Sequence, residues 1–174
     1  MNDLDLNNGL FVDGGLVGRN PSPIGGCFAW CFVDGGKIVK TRTGRVFPTA
    51  TSPVITNNQT EMVAMLQGIL ELPDSYEGSI FSDSMITIGR VSMNWAWQNI
   101  DKEQVRQFDA LRVIRDFKKM RFVLLDGHPT RAELQAGIGK KGHPVSYFNV
   151  LCDRECQKIS KEWKREMSSV PQLA

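Results

Sequence analysis

The stretch Leu10-Phe11-Val12-Asp13-Gly14-Gly15 limits the possible folds of this chain more than any other. A short apolar run ends in a carboxylate and two glycines. Such a run reads as a buried strand, and the glycines as a point where the backbone passes close to something. A carboxylate at the tip of a central strand is costly to bury unless a cation or hydrogen-bond donors meet it. Taken alone, Asp-Gly favours a hairpin turn. Three further carboxylates along the chain reverse that weighting.

Gly25 to Val33 is dense in aromatic and apolar residues and predicts a central strand. Asp34-Gly35-Gly36 is a turn into Lys37 to Val46, whose alternating polar and basic residues suit an edge strand. Three antiparallel strands in sequence make a meander. Thr56 to Glu61 then opens a helix. Asn57 or Asn58 is the expected cap, with Asn58 and Glu61 spaced as a capping box. Met62, Val63, Leu66, Ile69 and Leu70 supply its buried stripe, and Pro73 ends it. Glu61 falls in the expected first turn, where the bland reading is a carboxylate serving the helix dipole.

Ser79 to Asp83 repeats the opening pattern of a short strand ending in Asp, and Met85 to Val91 predicts a short helix. Strand, helix and strand in this order suggest parallel pairing. Asn94-Trp95-Ala96-Trp97 reads as a packing corner. Lys102 to Lys119 predicts a long helix, and Phe122 to Leu125 a fifth strand leading into Asp126-Gly127-His128-Pro129. Thr130 to Pro144, rich in Gly and Lys, predicts a mobile loop without regular structure. Ser146 is the expected cap of a last helix reaching about Met167, with Val150, Leu151, Ile159 and Trp163 inward and Asp153 in its second turn. Residues 1–7 and the C-terminal tail are expected to fray.

At 174 residues, the expectation is one domain over 1–174 with its core at about 8–165. A net charge of only +2 means that a nucleic-acid partner needs a local basic patch. No apolar run reaches the ~18 residues of a membrane span, and no signal peptide is evident. Cys27/Cys31 and Cys152/Cys156 lack the two-residue gap of zinc or redox motifs. Each pair shares one face of its element, so buried free thiols in a reducing cytoplasm are expected.

Asp13 and Asp83 end two predicted strands, and Glu61 and Asp153 lie early in two predicted helices. This order of elements can place all four around one cleft. Clustered carboxylates repel one another unless divalent cations bind. Mg²⁺ prefers oxygen ligands and phosphate company, and two such ions, with Mn²⁺ as the alternative, can support phosphodiester hydrolysis.

With these residues in place, the sequence resembles type I ribonuclease H, over about residues 8 to 165. The resemblance is carried by Val12-Asp13-Gly14, Thr56-Asn57-Asn58-Gln59-Thr60-Glu61, Ser82-Asp83-Ser84, Gly127-His128, and Asn149 four residues before Asp153. Gly127-His128-Pro129-Thr130 and the long loop before the last helix look like the phage and prophage branch. The resemblance implies a ribonuclease H-like α/β fold, a five-stranded mixed sheet with three antiparallel strands then two parallel, flanked by helices. It implies hydrolysis of the RNA strand of RNA–DNA hybrids, leaving 5′-phosphate and 3′-hydroxyl ends. Asp13 would bridge two metal ions. Asp153 would help hold the one that activates water, and Glu61 and Asp83 the one on the leaving-group side. Asn58 would reach the minor groove of the hybrid, whose 2′-hydroxyls mark RNA. Gly14, Gly15, Ser84 and Asn149 would be substrate-side positions. A monomer is expected.

Two departures stand out. The basic protrusion of many family members is short or absent, since Asn94 to Val105 holds only Lys102 as a basic residue. Arg112, Arg115, Lys118 and Lys119 are the candidate substitute, against the bland reading of a solvated helix face. Two histidines also compete for the loop histidine of the family. His143 has the compact spacing, ten residues before Asp153, whereas His128 directly follows the last strand and is preferred. Competing readings are a Holliday-junction resolvase or other DNA nuclease of the same fold, and a non-catalytic nucleic-acid-binding relic.

Overall fold

A computed structural model of the chain describes residues 4–97 and 102–169. Residues 1–3 and 170–174, expected to fray, and residues 98–101 lie outside the described residues; the expected fraying of residues 4–7 is corrected, since Leu4 and Leu6 pack against the core and Asn7 accepts a hydrogen bond from the Gly36 N–H at 2.8 Å. The elements are β1 (Gly9–Leu16), β2 (Gly26–Asp34), β3 (Lys37–Val46), α1 (Asn57–Leu70), β4 (Ser79–Ser82), α2 (Met85–Ser92), α3 (Lys102–Ile114), β5 (Arg121–Leu124), α4 (Arg131–Ala136) and α5 (Tyr147–Ser169). The strands form one sheet in the order β3-β2-β1-β4-β5. β1, β2 and β3 pair antiparallel as a meander, and β1, β4 and β5 pair parallel.

Strand periodicity divides the core. Leu10, Val12, Phe28 and Trp30 pack with Met62, Met65, Leu66 and Ile69 of α1 and with Phe108 and Leu111 of α3. Phe11, Cys27, Ala29 and Cys31 pack on the other face with Phe81 and with Cys152 and Cys156 of α5. All four cysteines are buried and free. The charged edge strand β3 faces solvent with Lys37, Lys40 and Arg42, which discourages edge-to-edge pairing. Among the described residues no helix is long and apolar enough to cross a membrane.

Several local expectations are corrected. β1 does not end at Asp13: Asp13 pairs with Ala29 and the strand runs on through Gly14 and Gly15 to Leu16. The cap of α1 is Thr56, in a reciprocal capping box with Gln59, so Asn57 and Asn58 are already helical. Its stripe uses Ala64, Met65 and Gly68, while Leu70 is half-exposed at the helix end. The predicted helix to Lys119 breaks after Ile114, and Asp116 caps a separate turn at Phe117–Lys119. The predicted loop contains α4, with Thr130 and Glu133 forming a capping box and Gly137 ending it at φ 75°. That signal was present in the sequence as Thr-x-x-Glu followed by Gly. On α5 the fully buried positions are Asn149, Cys152, Cys156 and Trp163, rather than Val150, Leu151 and Ile159.

Candidate active site

The parallel register of β1 and β4 builds the site. Leu10 pairs with Ile80 and Phe11 with Phe81, and the last pair stacks its rings 4.4 Å apart at 11° in the fully buried core. Asp13 and Asp83 each follow two residues later, side by side where the strands part. Such a crevice, at the carboxyl ends of parallel strands beside a switch in strand order, is where open α/β sheets bind ligands. Glu61 comes from α1, whose start packs directly on β1. Ligand oxygens of Asp13, Glu61 and Asp83 lie within 4.8 Å of one another. Asp153 stands outside that group, on α5, but lines the same cleft of about 430 Å³.

Burial is the main electrostatic fact of this cluster. Asp13 and Glu61 are each 4% exposed. Burial, followed by repulsion from Asp83 and Asp153, pushes the Asp13 carboxyl well above the usual carboxylate range, against one stabilising hydrogen bond from the Gly14 N–H at 2.8 Å. Burial, then the charges of Asp13 and Asp83, does the same to Glu61. Asp83 is raised by burial and partly relieved by His128. Oε2 of Glu61 is buried without a partner, while Oε1 accepts from Asn57 Nδ2 at 3.4 Å. Glu61 also lies beyond the first helical turn, which holds no acidic residue. Serving the helix dipole therefore does not explain a buried, half-partnered carboxylate there. Divalent cations would satisfy the orphaned oxygen and relieve the repulsion, so these residues fit a metal site.

Asp153 is held by the next turn of its own helix: Gln157 Nε2 donates to its Oδ2 at 2.8 Å. His128 Nδ1 lies 3.4 Å from the same oxygen, and the ring is otherwise exposed to the cleft. The His128 backbone has φ 51°, a left-handed conformation uncommon without glycine. Gly127 before it lets the chain pass against Asp83, which a Cβ there would strike. His143 does not line the cleft.

The remaining predicted positions divide. Gly14, Gly15 and Ser84 line the cleft. The Ser84 hydroxyl caps α2, accepting from Thr87 N at 3.3 Å. Asn58 does not line the cleft; Asn57 does. Asn149 is 3% exposed on the inner face of α5, too deep to meet a substrate, which corrects its substrate-side placement. The bare backbone at Gly14 and Gly15 has a packing cause. A Cβ on Gly14 would overlap the backbone of Thr60 and Glu61, and one on Gly15 would come within 3.1 Å of Cys27 Sγ and 3.2 Å of Cys156 Cβ. Asn57 and Gln157 were missed in the sequence. Gln157 was findable from its four-residue spacing to Asp153.

The basic face proposed from Arg112, Arg115, Lys118 and Lys119 dissolves. Arg115 is 7% exposed and serves the core, donating to Asp74 Oδ1 at 2.7 Å and to the Leu72 carbonyl at 2.8 Å. Lys119 pairs with Glu77 at 2.9 Å. These residues precede β5, at the opposite end of the parallel strands from Asp83. A larger groove of about 810 Å³ between residues 49–56 and the start of α3 shares no lining residue with the acidic cleft. The clustered carboxylates, not size, mark the chemistry.

Comparison with known proteins agrees with this geometry. No family model matches the chain. It is 24% identical over 162 residues to ribonuclease H of Caldicellulosiruptor saccharolyticus, covering 89% of this chain and 97% of that protein. It is likewise 24% identical over 160 residues to ribonuclease H of Chlorobium chlorochromatii, covering 88% and 94%. Among solved structures, it superposes on the N-terminal ribonuclease H domain of rv2228c from Mycobacterium tuberculosis with a TM-score of 0.60 at 15% identity, over 91% of this chain and 97% of that one. LC11-RNase H1 in complex with an RNA/DNA hybrid matches with a TM-score of 0.57 at 14% identity, over 86% and 96%. The structural likenesses establish a ribonuclease H-like fold.

Proposed function

We propose that this chain, a member of the ribonuclease H family, is an endoribonuclease that hydrolyses the RNA strand of RNA–DNA hybrids and leaves 5′-phosphate and 3′-hydroxyl ends. The observation that carries the reading is the convergence of Asp13, Glu61 and Asp83 within 4.8 Å at the carboxyl ends of parallel strands. Those three, with Asp153, would hold Mg²⁺ or Mn²⁺. The bound metal supplies a polarised phosphoryl oxygen and a water of lowered pKa. The rest of the work falls to the chain. Asn57, which lines the cleft at the start of α1, would meet the minor groove of the hybrid, with Asn58 beside it as the expected partner. The backbone at Gly14 and Gly15, which lines the cleft, would face the scissile strand. His128 would take up or release a proton at its ring, with Asp153 Oδ2 orienting Nδ1. The reading takes the chain as a single domain acting as a monomer, with Asp13, Glu61, Asp83, His128 and Asp153 lining one cleft. We assign it to the phage and prophage branch on Gly127-His128-Pro129-Thr130 and the excursion that carries α4.

The decisive experiment is cleavage of an end-labelled hybrid with Mg²⁺ and with excess EDTA, beside single-stranded RNA, duplex DNA and a four-way DNA junction. The expected result is hybrid cleavage alone, lost in EDTA, with 5′-phosphate products. Junction cleavage would favour a resolvase, and binding without cleavage a non-catalytic relic.

His128 is tested separately. His128→Ala should lower kcat by about 10²-fold without abolishing turnover, the usual scale of one proton-transfer group. His143→Ala should be nearly silent. The reverse pattern on one hybrid would return the role to His143.

A further inference from the structure

Asn94 to Val105 holds only Lys102 as a basic residue, which leaves open what holds the substrate of a chain with a net charge of only +2. We propose that the exposed basic stripe of α5, centred on Lys161 and Lys164, is a track for backbone phosphates of the strand being cleaved. This rests on the ribonuclease reading above.

The track is continuous with the acidic cleft. Gly15, Asp153 and Gln157, which line that cleft, also line a second depression of about 200 Å³ whose far wall is Lys161 and Lys164. Gln157 and Lys161 go on to line a third, of about 300 Å³, with Arg154, Lys158 and Arg165 and one acidic residue, Glu162. Asp153, Gln157, Lys161 and Lys164 follow one another at intervals of four, four and three residues, which keeps them on one helix face. From Asp153 to Lys164 the helix rises about 16 Å. That distance spans roughly five nucleotide steps at ~3.4 Å each.

The charges there are available. Among the described residues, neither Lys161 nor Lys164 pairs with a carboxylate, while Glu166 is held by Arg45 and Glu155 lies 3.9 Å from Lys158. The helix is also firmly seated. Ser160 Oγ donates to the Leu16 carbonyl at 3.0 Å, and the buried Trp163 is covered by Arg45 at 4.9 Å. The two lysines therefore stand at a fixed offset from Asp13 on β1. A flexible, unanchored lysine pair would attract phosphates without directing them.

The test compares wild type with the double variant Lys161→Ala/Lys164→Ala on a hybrid of about 20 base pairs and one of about 6, the shorter unable to fill cleft and track together. On the long hybrid the variant should show a KM about tenfold higher with kcat little changed. The slope of log(kcat/KM) against log[salt] should become shallower by about 1.4–1.8, the contribution of two phosphate contacts. On the short hybrid the difference should shrink to less than twofold. Lys118→Ala, at the far end of the sheet, should change neither. Fluorescence anisotropy of the same hybrids in EDTA gives the matching Kd without turnover. Unchanged KM, Kd and salt slope on the long hybrid, or an equal rise on both lengths or with Lys118→Ala, would overturn the track. Wild type that binds through the track but cleaves no hybrid would instead reject the ribonuclease reading.

Discussion

Asp13→Asn should reduce hybrid cleavage by about 10²–10³-fold or more while making the metal-free protein more stable. Both effects have one cause. Asp13 is 4% exposed, and burial plus the Asp83 and Asp153 charges push its carboxyl well above the usual range. A carboxyl whose folded pKa is raised favours folding when protonated. That contribution is complete below its unfolded pKa and is lost as pH rises through the folded pKa. Metal-free protein should therefore melt lower at neutral pH than at mildly acidic pH, and added Mg²⁺ should restore the difference by binding the folded state alone. Asparagine keeps the shape and removes the charge. Relief of repulsion on the order of 1–2 kcal/mol raises Tm by about 2–8 °C in EDTA at neutral pH. The same change removes the carboxylate nearest the centre of the cluster, and losing one preorganised electrostatic contact commonly costs 10²–10³-fold. Thermal melts with and without Mg²⁺, beside steady-state cleavage, read both. An Asp13→Asn protein that cleaves at the wild-type rate would remove the cluster from the mechanism. One that melts lower than wild type in EDTA would refute the repulsion.

Gly14→Ala should be strongly damaging to both stability and turnover. A Cβ at Gly14 would overlap the Glu61 nitrogen and the Thr60 carbonyl carbon, both backbone atoms that cannot swing aside as a side-chain tip can. β1 resists displacement, because its antiparallel pairing with β2 runs on past Gly14 to Leu16. The start of α1 must move instead, carrying Glu61 out of the cluster. Overpacking of this kind costs about 3 kcal/mol, a fall of roughly 6–12 °C in Tm. A displacement near 1 Å at Glu61 is worth a further loss of about 10²-fold in kcat/KM. Gly15→Ala is the contrast. Its Cβ meets the Cys27 sulfur and the Cys156 side chain at 3.1 and 3.2 Å, contacts that yield with a few tenths of an ångström of movement. It should cost about 1 kcal/mol and leave turnover largely intact. Equal melting temperatures for Gly14→Ala and wild type would show that α1 does not rest on β1 as described.

What the sequence determined by itself was whatever local spacing can encode. The short apolar run of Leu10 to Val12, the aromatic strand of Gly25 to Val33 and the glycine turn at Gly35 and Gly36 specify the meander, since apolar runs and tight turns are local properties. The order of Asp13, Glu61, Asp83 and Asp153 was legible because each belongs to a strand or helix with a readable local pattern. Tertiary structure decided everything that depends on what packs against what. The Phe11–Phe81 register sets Asp13 beside Asp83. The nearness of α1, not substrate alone, requires Gly14. Burial took Asn149 out of the cleft and Arg115 out of the basic face, two polar side chains whose exposure no periodicity specifies. The run of Lys161 and Lys164 beyond Asp153 reads in sequence as one more solvated helix face. It becomes a path out of the acidic cleft only because Ser160 and Trp163 seat α5 against β1 and β3, leaving those lysines beside Gly15.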